Sequence, residues 1–180
     1  MVSKSIAYIN TKIEALNIFS AVLCLAEKIK KGTQEYPAIP NGNQFNKIDL
    51  DKTDGKCYWR LTGDVTIDEV ERMNSCGVDY QFKVPLKLVC FVNRKKTNST
   101  QEEVIGALIK AITTTSAYLK SELSAKQVRV ICKSYKTNRE ELAREEYEGF
   151  EFIPNYNFLY FSIEAELSVL TNSNCIPAIC

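Results

Sequence analysis

Apolar residues recur along the chain with two different periods. Ile6, Ile9, Ile13, Leu16, Phe19, Leu23 and Ala26 follow a three-and-four spacing, which predicts one amphipathic helix over about residues 5–30. Lys28, Lys30 and Lys31 suit the negative end of its dipole, and Gly32 suits its stop. Pro37, Pro40 and the Asn41-Gly42 pair predict a loop over 36–43. Residues 57–67 are rich in strand formers (Tyr58, Trp59, Leu61, Val65, Ile67), and 68–77 form a polar connector. The clearest strand follows, with Val78, Tyr80, Phe82, Val84, Leu86, Leu88, Cys90 and Val92 all on one parity. At about 3.3 Å per residue it extends about 50 Å, beyond the usual strand length. Paired with 57–67 it makes a hairpin whose tip, near 68–77, projects from the body. Pro85 inside it requires an open edge or a bulge.

Ser99 with Glu102 and Thr100 with Glu103 form two overlapping capping boxes ahead of a second amphipathic helix that runs to about residue 123. The Thr113-Thr114-Thr115 run weakens it. A strand over 128–135 comes next, then a short helix started at Thr137 or Asn138 and ended near Gly149. Over 158–170, Leu159, Phe161, Ile163, Ala165, Leu167 and Val169 form a buried face, and Ser162, Glu164, Glu166 and Ser168 a wet one. Residues 172–180 read as a tail. The predicted fold is α+β: a mostly antiparallel sheet with a long β-hairpin arm over 57–92, packed against two long helices and one short one. Residues 1–171 form one domain.

Composition narrows the chemistry. The chain has 180 residues, 23 basic and 22 acidic side chains and no histidine. That excludes Ser-His-Asp and Cys-His nucleophile systems, the helical two-histidine zinc site and any histidine general base. A net charge of +1 gives no overall pull toward nucleic acid or an anionic membrane. Seven cysteines (24, 57, 76, 90, 132, 175 and 180) contain no Cys-x-x-Cys pair, and most lie in apolar patterns as small hydrophobes. No secretory leader accompanies them, so a reducing cytosol is expected, in which the sequon at Asn98 has no role. Residues 49–55 look briefly like a calcium loop, but Asp54 and Arg60 occupy the sixth and twelfth positions, where glycine and glutamate are required. Glu164 and Glu166 on one strand face, and the acidic and basic residues of 139–146, read as solvated charge. Arg94, Lys95 and Lys96 form the one compact basic run, a candidate phosphate contact. No cofactor or metal is expected.

The element order resembles that of the tail-terminator, tail-completion and neck-ring proteins of tailed bacteriophages: a leading helix, a hairpin with one over-long strand (78–92), a capped helix (99–123), a strand, a short helix and a final alternating strand. The resemblance covers about residues 5–170 and rests on no diagnostic motif, so it transfers no catalytic residue. It implies a non-enzymatic virion protein, assembled in the host cytoplasm, that forms a homo-oligomeric ring between portal and tail around the passing genomic DNA. It also implies portal, neck or tail proteins as partners, and no membrane. Candidate contacts between subunits or rings are then Asp68, Glu69, Glu71, Arg72, Met73 and Pro85 on the hairpin, with Ile176 and Pro177 in the tail. The near-neutral charge departs from the acidic or mixed lumen such rings have. An α+β enzyme or ligand-binding domain without histidine chemistry, and a small nucleic-acid adaptor using residues 94–96, are the alternatives.

Overall fold

The computed structural model describes residues 1–48, 55–70, 78–149 and 157–172. The first helix is much shorter than its periodicity predicts. Helix α1 spans Val2–Glu14 and buries Ile6, Ile9 and Ile13. Asn17 then takes a left-handed conformation with φ 54°, which an α-helix does not accommodate. The remaining apolar run becomes strand β1, Ala21–Leu25. Residues 15–26 fit either period, and the open edge of a sheet decides for the strand: β1 pairs in parallel with β5, Gly55–Leu61, placing Ala21 beside Lys56 and Leu25 beside Trp59.

The lysines assigned to a helix end lie instead in strand β2, Glu27–Lys31. The predicted loop over 36–43 is also strand. β3, Gln34–Asn41, sits between β2 and β4, Gln44–Lys47, in a three-stranded antiparallel sheet. Gly42 and Asn43 make the two-residue turn between β3 and β4, with Gly42 at φ 59°, while Asn41 closes β3 opposite Gln44.

With β7 at Asp79–Asn93, β8 at Gln127–Lys136 and β9 at Phe158–Asn172, the main sheet runs in the order β1-β5-β7-β9-β8. Its two central strands, β7 (Asp79–Asn93) and β9 (Phe158–Asn172), are 15 residues each and pair antiparallel along their whole length. The long strand therefore has a partner to its end and does not project alone. Strand β6, Thr66–Val70, occupies part of the predicted connector; its β-branched Thr66, Ile67 and Val70 suit a strand. It pairs with β7 over residues 79–83, while β5 pairs with β7 over 86–92. Pro85 falls at the seam between these ladders: its carbonyl accepts the Thr62 N–H at 3.2 Å, and Glu166 stands opposite it on β9. A proline, which has no N–H to offer a ladder, is thus placed where one partner strand stops and the next begins. The tip at 71–77 and the tail at 173–180 lie outside the described residues.

One face of this sheet is covered by helices. Ile6, Ile9 and Ile13 of α1 pack with Val104, Ile105, Leu108 and Ile112 of α2 (Gln101–Thr113) over Trp59, Leu88, Cys90, Phe161 and Ile163. The second helix breaks where the threonines fall: Thr113, Thr114 and Thr115 hydroxyls donate back to carbonyls of the preceding turn, and a separate helix α3 follows at Ser116–Glu122. Of the two capping boxes, Thr100 with Glu103 forms; the Ser99 N–H instead donates to Thr97. Strand β8 is Gln127–Lys136 and helix α4 is Arg139–Glu146, capped by Asn138 as predicted.

The opposite face is not left wet. Phe158, Tyr160 and Ser162 of β9 are buried, because α4 and the small sheet cover that half with Leu142, Tyr147, Ala26 and Ile48 over Tyr58, Val89 and Phe91. Alternation along β9 correctly marks Leu159 to Val169 as core, but serine on the other parity reports only polarity, not exposure.

Candidate functional site

The second face places a charged network over the sheet. The helical spacing of Leu142, Ala143, Glu146 and Tyr147 puts one carboxylate on the buried side of α4. Glu146 is fully buried and accepts from the Tyr58 hydroxyl at 3.1 Å and from Arg60 Nη1 at 2.9 and 2.8 Å. Lys87 Nζ lies 2.9 Å from Glu146 and 2.8 Å from Glu145. Lys136 of β8 reaches Glu145 at 2.7 Å and Glu141 at 3.4 Å. Burial, then the neighbouring Glu146, pushes the Tyr58 hydroxyl well above its usual range. Three cations meeting three carboxylates clamp α4 onto β5, β7 and β8.

Reading 139–146 as a solvated helix is therefore wrong at Glu146, and Lys87, on the polar parity of its strand, is only 6% exposed. The available signal was local: Lys87 stands between Leu86 and Leu88, and Glu146 four residues after Leu142.

Burial raises the Glu145 carboxyl, but hydrogen bonds from Lys136 and Lys87 outweigh it and leave the group below its ordinary value of 4.5. A depressed folded value stabilises the fold above the unfolded value, and that contribution fades as pH falls through the folded one. We expect urea midpoints to drop as pH falls below about 4.5. Glu145→Gln should lower the midpoint at neutral pH and flatten that acid limb. An unchanged limb would remove Glu145 as its source.

The contact residues read from the sequence fall in different places. Asp68 and Glu69 lie exposed on β6, Asp68 paired with Lys83 at 2.7 Å. Pro85 is half-buried in the seam. Glu71, Arg72, Met73, Ile176 and Pro177 lie outside the described residues. Arg94, Lys95 and Lys96 form a short 3-10 turn at the other end of β7, about 40 Å from Asp68 by strand rise. That turn is held by internal bonds, the Lys95 N–H donating to Asn93 and the Arg94 N–H to Asn157. Beside it an open depression is lined by Arg94, Thr97 and Glu102. The structure does not bring the two groups of candidates together.

More telling is what surrounds β6. Leu61 at the end of β5, Ile67 in β6, Val65 just before β6 and Val78 just before β7 are between 39% and 54% exposed. Among the described residues no strand pairs with the outer edge of β6. Their strand-forming side chains put Leu61, Val65 and Ile67 in one predicted strand, and nothing in that pattern marks them as exposed.

Other chemistry is sparse. Cys57 and Cys90 face each other across β5 and β7, both fully buried. Burial, then Cys57 itself, holds the Cys90 thiol well above its usual range, which makes it a poor nucleophile. Cys132 is raised by burial as well, whereas Cys24 is exposed. Cys76, Cys175 and Cys180, and the calcium-like stretch 49–54, lie outside the described residues. Among the described residues no three acidic or cysteine side chains gather as a metal site, and no helix is long and apolar enough to cross a membrane. No protein family's sequence profile matches the chain, and no curated protein is significantly similar to it.

Proposed function

We propose that this chain is a structural, ring-forming protein of a tailed phage, placed in the neck or tail-completion region and joining head to tail around the DNA channel. The observation that carries this reading is the β6 side of the sheet. A short strand whose outer edge no strand pairs among the described residues, with Leu61, Val65, Ile67 and Val78 exposed in it or in the adjoining chain, is surface that a monomer ordinarily protects and that an assembly covers. Heterologous contacts that close on themselves use such an edge without leaving an open fibre end. The charge clamp over α4 supports the same reading, since it consumes its polar groups in holding a shape. Partners in this reading are further copies of the chain and the neighbouring portal, neck or tail proteins, with DNA passing through without sequence-specific contact. The test is assembly. Native mass spectrometry and negative-stain microscopy of the purified chain, alone and with portal or neck proteins, should show closed rings. A strictly monomeric chain at high concentration, with and without those proteins, overturns the reading.

A further inference from the structure

Cys57 of β5 and Cys90 of β7 are register partners in a ladder that runs without a shift from Gly55 and Val92 to Leu61 and Leu86. The kind of partners they are follows from where the backbone of β5 points. The Gly55 carbonyl accepts the Ser20 N–H at 3.0 Å, and the Trp59 carbonyl accepts the Ala26 N–H at 2.7 Å, both from the β1 side. Cys57 lies between them on the same parity, so its peptide groups face β1 as well. The opposite parity bonds toward β7: the Thr62 N–H, just past β5, donates to the Pro85 carbonyl at 3.2 Å. Cys57 and Cys90 are therefore a non-hydrogen-bonded pair, the closer of the two antiparallel kinds, with Cα atoms about 4.5 Å apart. A disulfide requires about 4.4–6.8 Å between Cα atoms and side chains that point together. Both side chains are fully buried on the helix-covered face with Trp59 and Leu88, and the two thiols lie within hydrogen-bonding reach of each other.

We infer that Cys57 and Cys90 are an oxidation site, two thiols in the reduced chain that hydrogen peroxide converts into a disulfide joining β5 to β7. This goes beyond the ring reading and does not depend on it. One thiol, as its thiolate, attacks the O–O bond; its sulfur becomes a sulfenic acid and the departing oxygen leaves as water. The second thiol attacks that sulfur, forming the S–S bond and expelling the hydroxyl as a second water. Two thiols lose two electrons and two protons, and one peroxide takes up both. Packing alone asks nothing of register, whereas direct opposition at the close kind of pair places two sulfurs for a bond. The other described cysteines lie elsewhere: Cys24 is exposed on β1, and Cys132 is on β8, with β9 between it and β7. Burial sets the rate, because the peroxide reaches the pair only when the ladder opens. The bond closes residues 57–90 into a loop that contains β6, so it fastens the base of the segment that carries the exposed edge. Closing that loop restricts the unfolded chain and so favours the folded one.

The experiment treats the unaltered chain with hydrogen peroxide, quenches with an alkylating agent, and maps the non-reduced peptides by mass spectrometry. The expected product links the peptides carrying Cys57 and Cys90, and a reductant reverses it. It should form at least about tenfold more slowly than the exposed Cys24 is oxidised, and faster in urea just below the unfolding transition, since opening gates it. The linked chain should unfold at a higher urea midpoint, and reduction should return the original value. Cys24→Ser should keep that gain and Cys57→Ala should abolish it. The peptide map of the unaltered chain decides even where Cys57→Ala fails to fold. Cys57 and Cys90 that remain free thiols after prolonged peroxide in that urea, or that couple to other cysteines instead, overturn the site and leave them as packing residues. A bond that leaves the midpoint unchanged or lower overturns it as well. None of these outcomes bears on whether the chain forms rings.

Discussion

Glu146→Ala is expected to destabilise the fold by about 3–5 kcal/mol, measured as a fall in the urea midpoint with an unchanged slope. The reason is the arrangement left behind. Arg60 and Lys87 are largely buried under α4, and Glu146 is the carboxylate both of them reach. Removing it takes the carboxylate from two largely buried cations, and leaves Lys87 to share Glu145 with Lys136. The Tyr58 hydroxyl loses its acceptor in the same step. Replacing the group together, with Arg60→Met, Lys87→Met and Glu146→Leu in one chain, should cost far less, because no charge is then stranded. If the single and triple variants are equally unstable, packing of α4 and not charge pairing holds that face.

Trp59→Ala is the second large effect, about 3–5 kcal/mol from the cavity in the helix-covered core. Trp59 is fully buried in β5, and its indole N–H donates to Asn10 Oδ1 at 2.8 Å. Asn10 in turn donates to the Leu23 carbonyl at 3.2 Å, so one tryptophan ties β5 to α1 and, through it, to β1. Trp59→Phe keeps most of the apolar contact but leaves the Asn10 oxygen without that donor, which should cost about 1–3 kcal/mol. Trp59→Phe paired with Asn10→Leu removes both partners and should recover part of the loss. A double variant no better than Trp59→Phe alone would show that the hydrogen bond contributes nothing beyond the ring.

The α+β class and the two 15-residue strands were legible because alternation persists long enough to be unmistakable. Asn138 and the Thr100 box were legible because capping is local chemistry. The N-terminal third was not. Residues 15–26 satisfy a helical period, and what makes Ala21–Leu25 a strand is the edge of β5, a segment more than thirty residues away. Pro37 and Pro40 read as loop although they lie in β3, because neither proline reveals which of its neighbours needs an N–H. At the candidate site the contact residues Asp68 and Glu69 were named, but as part of a turn. Their place on an open strand edge depends on β6 pairing with β7 beyond the point where β5 ends.

That handover at Pro85 separates two kinds of inheritance within one protein. The ladder from β5 to β7 carries Cys57, Trp59, Leu88 and Cys90 into the core, so substitutions there are judged by whether the chain folds. The ladder from β6 to β7 spans five residue pairs, and β6 itself buries little. It can open as a local unit without disturbing the rest of the sheet. Substitutions at the exposed positions of residues 66–70 should therefore cost folding little, while substitutions across the β5–β7 ladder decide whether the chain folds.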